Sequence, residues 1–153
     1  AGQKVYQYTA LDDGTRYRVL RLYPRKNRFS TLEFFHTLRR ELPFLMLKLQ
    51  MDNGSEFPLD FALTVRAAGL RTRSITPRRL QQNGKVERSH RIDDEKFWSR
   101  QTFNTFASDS MALQAWQYRY NHERFSMALN GQTPAEKLST FYPNTSSAPV
   151  ISC

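Results

Sequence analysis

The run Leu45-Met46-Leu47-Lys48-Leu49-Gln50-Met51 constrains this chain more than any other stretch. It is too short for a typical helix and nearly all apolar, with Lys48 and Gln50 its only polar residues. A strand that is apolar on both sides must be covered on both faces, which calls for a sheet with helices above and below. The run closes on Asp52, and Asn53-Gly54 follows. Asn and Gly tolerate positive φ, so a turn is expected there. In layered α/β sheets the reactive groups collect at strand ends. Taken alone, Asp52 reads first as a turn residue after a strand; its position at the end of a buried strand is what raises the reading of a carboxylate facing a crevice.

The segments around this strand read as alternating elements. Val5 to Leu11 and Tyr17 to Tyr23 are rich in β-branched and aromatic residues, and Asp12-Asp13-Gly14-Thr15 supplies a turn between them. They predict a β-hairpin. Ser30-Thr31-Leu32-Glu33 has capping-box spacing and opens a helix, with Leu32, Phe35, Leu38 and Leu42 at helical intervals before Pro43. Leu59 to Ala68 predicts a helix stopped by Gly69, and Leu70 to Ile75 a short strand. A basic loop spans Thr76 to Gln82. A polar helix then runs from Asn83 or Gly84 to about Trp98, and another from about Asp109 to Asn121. Thr133-Pro134-Ala135-Glu136 is a second capping box, opening a short helix to about Leu138. Residues 1–140 therefore read as one domain. Residues 141–153 have the composition of a flexible tail.

The polar helix carries Glu87 within Asn83-Gly84-Lys85-Val86-Glu87-Arg88-Ser89-His90-Arg91. So few apolar residues give core packing little to hold, and a surface helix that touches a ligand fits better. A solvated face, with Glu87 paired to Arg91 one turn on, explains the same residues. Carboxylates on a strand end and on a later helix can meet at a divalent metal, as phosphoryl transfer on nucleic acid requires. Hard oxygen donors suit Mg²⁺ or Mn²⁺. Arg71, Arg73, Arg78 and Arg79 precede the helix, and the whole chain carries a formal charge of +9. Such a surface attracts a polyanion, most simply nucleic acid. No apolar run reaches the length of a membrane span, and no secretory pattern opens the sequence. The single Cys153 excludes an internal disulfide framework and fits a reducing cytoplasm. Cys/His zinc spacing and a phosphate-cradling glycine loop are both missing from the sequence.

Four motifs in order resemble the catalytic core of the DDE-type recombinases, retroviral integrases and more closely bacterial insertion-sequence transposases. They are Tyr8-Thr9-Ala10-Leu11-Asp12-Asp13 with Thr15-Arg16-Tyr17, Asp52-Asn53-Gly54-Ser55-Glu56-Phe57, and Gln82 to Arg91. The fourth is Tyr120-Asn121-His122-Glu123-Arg124 with Leu129 to Leu138. The resemblance covers about residues 5 to 138. It implies an α/β, ribonuclease-H-like mixed sheet flanked by helices. It further implies metal-dependent DNA cleavage and strand transfer, with Asp52 and Glu87 as the second and third catalytic acids and metal ligands. Arg78, Arg79, Asn83, Lys85, Arg88, His90 and Arg91 become the DNA contacts. Mg²⁺ or Mn²⁺ is the implied cofactor, DNA and further copies of the chain the partners, and a bacterial cytoplasm the setting.

The departures shape a second expectation. The family's first acid lies on a first strand at the sheet's centre, about a dozen residues before the position matched by Asp12, which is upstream of Ala1. Asp12 aligns with a hairpin-end residue that is not a metal ligand. Leu80 stands where a proline is usual, and Phe125-Ser126 replaces a usual Pro-His. The alternative reading is therefore a truncated, inactive remnant that binds DNA or a full-length transposase subunit.

Overall fold

The computed structural model of the 153-residue chain describes residues 4–12, 14–43, 48–52, 67, 71–75, 80–102, 104–141 and 150–152, with the backbone alone described in 48–52, 71–75, 80–85, 141 and 150–152. Strands β1 (Tyr6–Asp12) and β2 (Arg18–Tyr23) form the expected antiparallel hairpin, in register from Tyr6↔Tyr23 to Leu11↔Arg18. Helix α1 (Arg28–Glu41) follows. Strand β3 (Lys48–Asp52) pairs in parallel with β4 (Arg71–Ile75), so that Asp52 lies level with Ile75 at the carboxyl ends of both. Helices α2 (Leu80–Lys96), α3 (Phe106–His122) and α4 (Pro134–Phe141) complete the α/β layers. The helix expected over Leu59–Ala68 lies outside the described residues except for Ala67.

The sheet closes in a way the sequence does not announce. Strand β5 (Val150–Ser152) sits between the hairpin and the parallel pair, giving the order β2-β1-β5-β3-β4. It runs antiparallel to β1 (Asp12↔Ile151, Leu11↔Ser152) and parallel to β3 (Lys48↔Val150 to Gln50↔Ser152). The centre of the sheet, where the family resemblance puts its first strand, is thus filled from the other end of the chain. The stretch 141–153, read as a flexible tail, contributes a central strand. Composition fails here because three residues between Pro149 and Cys153 are too few to carry a periodicity. They gain their stability from ladders on both sides.

A buried ionic node ties the hairpin to two helices. Arg18 on β2 and Asp93 on α2 are almost wholly buried and form a two-pronged pair, Nη2–Oδ1 2.6 Å and Nη1–Oδ2 2.8 Å. Gln7 of β1 and the Trp116 indole of α3 also donate to Asp93, at 2.8 and 2.7 Å. Arg18 lies over the Tyr120 ring at 3.8 Å, and Asn121 of α3 exchanges two hydrogen bonds with its backbone. Around the node pack Leu20, Leu22, Phe97, Leu113, Trp116 and Tyr120. Each fully buried leucine contributes about 2 kcal/mol, so this apolar shell supplies the favourable energy that a desolvated ion pair does not guarantee. On the hairpin, Tyr8 and Tyr23 meet Phe34 of α1 edge-on.

Three helix starts differ from expectation. Asn27, not Ser30, caps α1, its side chain accepting from the Ser30 amide at 3.0 Å, while Glu33 accepts from the Thr37 hydroxyl. Thr105 and Ser108 form a capping box that starts α3 before Asp109. Helix α2 begins at Leu80, inside the predicted loop. The Thr133–Glu136 box forms as read, with bonds of 3.1 and 3.2 Å.

Arg18→Met leaves Asp93 buried without its partner and is expected to cost about 3–5 kcal/mol. The double variant Arg18→Met/Asp93→Leu should recover most of that loss in urea denaturation. Ile151→Pro deletes a backbone donor from the middle of a central strand and should lower stability by about 2–3 kcal/mol. An unchanged urea midpoint in that variant would remove β5 from the sheet.

Candidate metal and nucleic-acid site

The two candidate acids stand on separate elements. Asp52 is the last residue of β3, at the end of the parallel ladder where β4 also finishes at Ile75. The chain resumes as α2 at Leu80. Both residues that the sequence singled out therefore follow from the same edge of the sheet, as expected for α/β layers. Asp52's side chain, Asn53 to Phe57, and Arg78 and Arg79 lie outside the described residues, as do the side chains of Asn83 and Lys85 in the first turns of α2.

Helix α2 is divided cleanly. Val86, Ser89 and Asp93 face inward, with the Ser89 hydroxyl donating to the Val86 carbonyl at 2.7 Å. Glu87, Arg88, Arg91 and Asp94 face water. The Glu87–Arg91 pair that would make this face bland does not form, and among the described residues neither has an ion-pair partner. Asp93 anchors the inward face, so the rotation of the whole helix, and with it Glu87, is set six residues away. Sequence reading missed this anchor. Its one signal was Arg18, a charged residue at the inward position of a strand that alternates through Leu20 and Leu22.

Asp12 has a different employment. It is fully buried, and its carboxylate accepts from the backbone and hydroxyl of Thr15 while its backbone bonds Arg16 and Tyr17 across the hairpin turn. Arg16 takes the left-handed conformation, φ 67°, that this tight turn demands. The carboxylate is committed to closing the turn, in keeping with its reading as a hairpin-end residue.

His90 is exposed on one side and borders a cavity of about 400 Å³ on the other, with Val5, Gln7, Leu22, Asp94 and Trp98. Burial against this wall lowers its pKa. Asp93 opposes that shift, Arg18 adds to it, and Asp94 and Glu87 oppose it more weakly. His90 is therefore neutral at pH 7, able to donate one hydrogen bond to a phosphate but adding no charge.

Carboxylates are hard oxygen donors, the ligand type that suits Mg²⁺ or Mn²⁺. Among the described residues no three acidic, histidine or cysteine side chains gather into a metal-holding cluster. No helix among them is long and apolar enough to cross a membrane.

Comparison with known proteins agrees with this fold. Residues 68–134 match the family described as "Integrase core domain", a span that includes Glu87 and the Tyr120 and Thr133 segments and begins after Asp52. The chain is 24% identical over 155 residues to "Putative integrase ORF3" of Spiroplasma virus SpV1-C74, covering 90% of this chain and 43% of that protein. It thus spans under half the length of the curated relative it matches. The crystal structure of the catalytic core domain of BIV integrase superposes with a TM-score of 0.73 at 21% identity, covering 91% of this chain and 89% of that one. The fold is that of an integrase catalytic core, ribonuclease-H-like.

The lowered pKa of His90 makes a signed prediction. A neutral His90 contributes stability that is complete above pH 6.5, the ordinary value, and is lost as pH falls through its lower folded-state value. Melting temperatures measured from pH 7.5 downward should therefore drop more steeply in the wild type than in His90→Gln. Parallel curves would refute the buried ring wall.

Proposed function

We propose that this chain is the catalytic core of a transposase that cleaves DNA at element ends and joins the free 3′-hydroxyl to target DNA. The observation that carries this is the placement of Asp52 at the carboxyl end of β3 and of unpaired Glu87 on the solvent face of the helix that follows β4. Asp52 and Glu87 would hold the divalent metal, Mg²⁺ or Mn²⁺. When bound, the metal supplies an activated oxygen nucleophile and charge stabilisation at the leaving oxygen. Exposed Arg88 and Arg91 draw phosphate oxygens to the flank of Glu87, and Arg78, Arg79, Asn83 and Lys85, which precede them in the sequence, are the further DNA contacts of this reading. His90 donates a hydrogen bond without changing the local charge. The Arg18–Asp93 node holds α2 at fixed rotation while these contacts form. The surrounding enzyme is a DNA-bound homo-oligomer in the bacterial cytoplasm.

A second reading has its own observation. Strand β5 fills the sheet centre with Val150-Ile151-Ser152, which contains no acid, and Asp12 is used by its turn. Both support a remnant that binds DNA or a full-length transposase subunit without catalysis.

Strand-transfer and disintegration assays with Mn²⁺ separate the two. Metal ligation is worth several kcal/mol in the transition state, so Asp52→Asn and Glu87→Gln should each reduce turnover about 100-fold or more. DNA binding without turnover in the wild-type chain would support the remnant.

A further inference from the structure

A second basic surface lies away from Glu87. Between the end of α2, with the turn that follows it, and one stripe of α3 runs a groove of about 710 Å³. Lys96, Arg100, Arg119 and Arg124 border it, and Phe97 and Trp116 are in its lining. On α3 the stripe is Ala112, Ala115, Trp116 and Arg119, one face by helical spacing, with two alanines leaving the groove open. Glu123 is the one acid in the lining.

Its chemistry is specific about the ligand. None of the four cations has a carboxylate partner among the described residues. Arg119 lies 5.7 Å from the Trp116 ring centre and Arg124 5.9 Å from that of Tyr120. Those contacts hold the guanidinium groups over apolar ground and reduce the ordering needed when an anion arrives. Four cations against one acid repel one another until a polyanion enters. The rings are too deeply seated to stack on bases, Phe97 being 5% and Trp116 7% exposed. The groove therefore meets phosphates and leaves bases unread. Lys96 follows Glu87 by nine residues, which is about 14 Å along the axis of α2 and half a turn around it. A strand lying here is distinct from the one at the acids.

We propose that this groove binds the phosphate backbone of a nucleic-acid segment outside the reacting one, without regard to sequence. The proposal rests on the DNA-handling reading above.

Titration of labelled duplex DNA of arbitrary sequence against the full chain, followed by anisotropy at several salt concentrations, tests it. Arg100→Gln/Arg119→Gln removes two exposed cations. It should flatten the slope of log K against log salt by about 1.8 and weaken binding about tenfold or more near 0.1 M salt. Arg39→Gln/Arg40→Gln on α1 removes the same charge elsewhere and serves as the control, with melting curves confirming that both variants fold. A groove variant that changes no more than this control overturns the proposal and leaves DNA binding at the acids standing. Polyglutamate that competes for the wild-type groove while DNA affinity is untouched by the groove substitutions assigns it to an acidic polypeptide, and also overturns it. A wild-type chain that binds no duplex overturns the groove and the DNA reading together.

Discussion

The buried pair between Arg18 and Asp93 is the contact on which the arrangement of this protein depends. A guanidinium and a carboxylate taken out of water each lose several kcal/mol of solvation, and only close, multiply bonded geometry repays it. Here the carboxylate receives Arg18, Gln7 and Trp116, and the guanidinium rests on Tyr120. Four elements, β1, β2, α2 and α3, must be in register at once for that set of bonds to exist. A helix as polar as α2 has too little apolar surface to choose its own rotation. The ion pair chooses it, and Glu87 faces water as a consequence.

The sheet has a comparable dependence at its centre. Strand β5 is three residues long, yet it lies between the antiparallel hairpin and the parallel pair. The orientation it takes, antiparallel to β1 and parallel to β3, joins two halves that otherwise share no ladder among the described residues. Its short length means that its ladder ends at Gln50, two residues before Asp52. The edge where Asp52 stands is thus beyond the last rung that β5 provides.

Charge is distributed with the same economy. Helix α2 shows water Glu87 with Arg88 and Arg91 on one side, and ends half a turn away at Lys96 beside the groove against α3. One helix thereby borders two cationic surfaces, and the pair at its heart keeps both at a fixed angle.

What the sequence alone determined is local. The hairpin, the strand closing on Asp52, the polar helix carrying Glu87 and the Thr133–Glu136 cap were all legible, because alternation, capping and turn chemistry act between residues a few positions apart. The alternation of strands and helices pointed to a mixed α/β sheet, and the ribonuclease-H-like class came from the resemblance carried by the ordered motifs. Tertiary structure decided the rest. Nothing near Val150 states that it will pair with Lys48, and nothing near Arg18 names Asp93 as its partner. The start of α1 shifted to Asn27 because the Asn carboxamide accepts from the Ser30 amide, which the expected capping box would have left to Glu33. Unpaired strand edges and buried charges are satisfied by whatever the completed chain brings to them, and that supply is set by packing across the whole molecule.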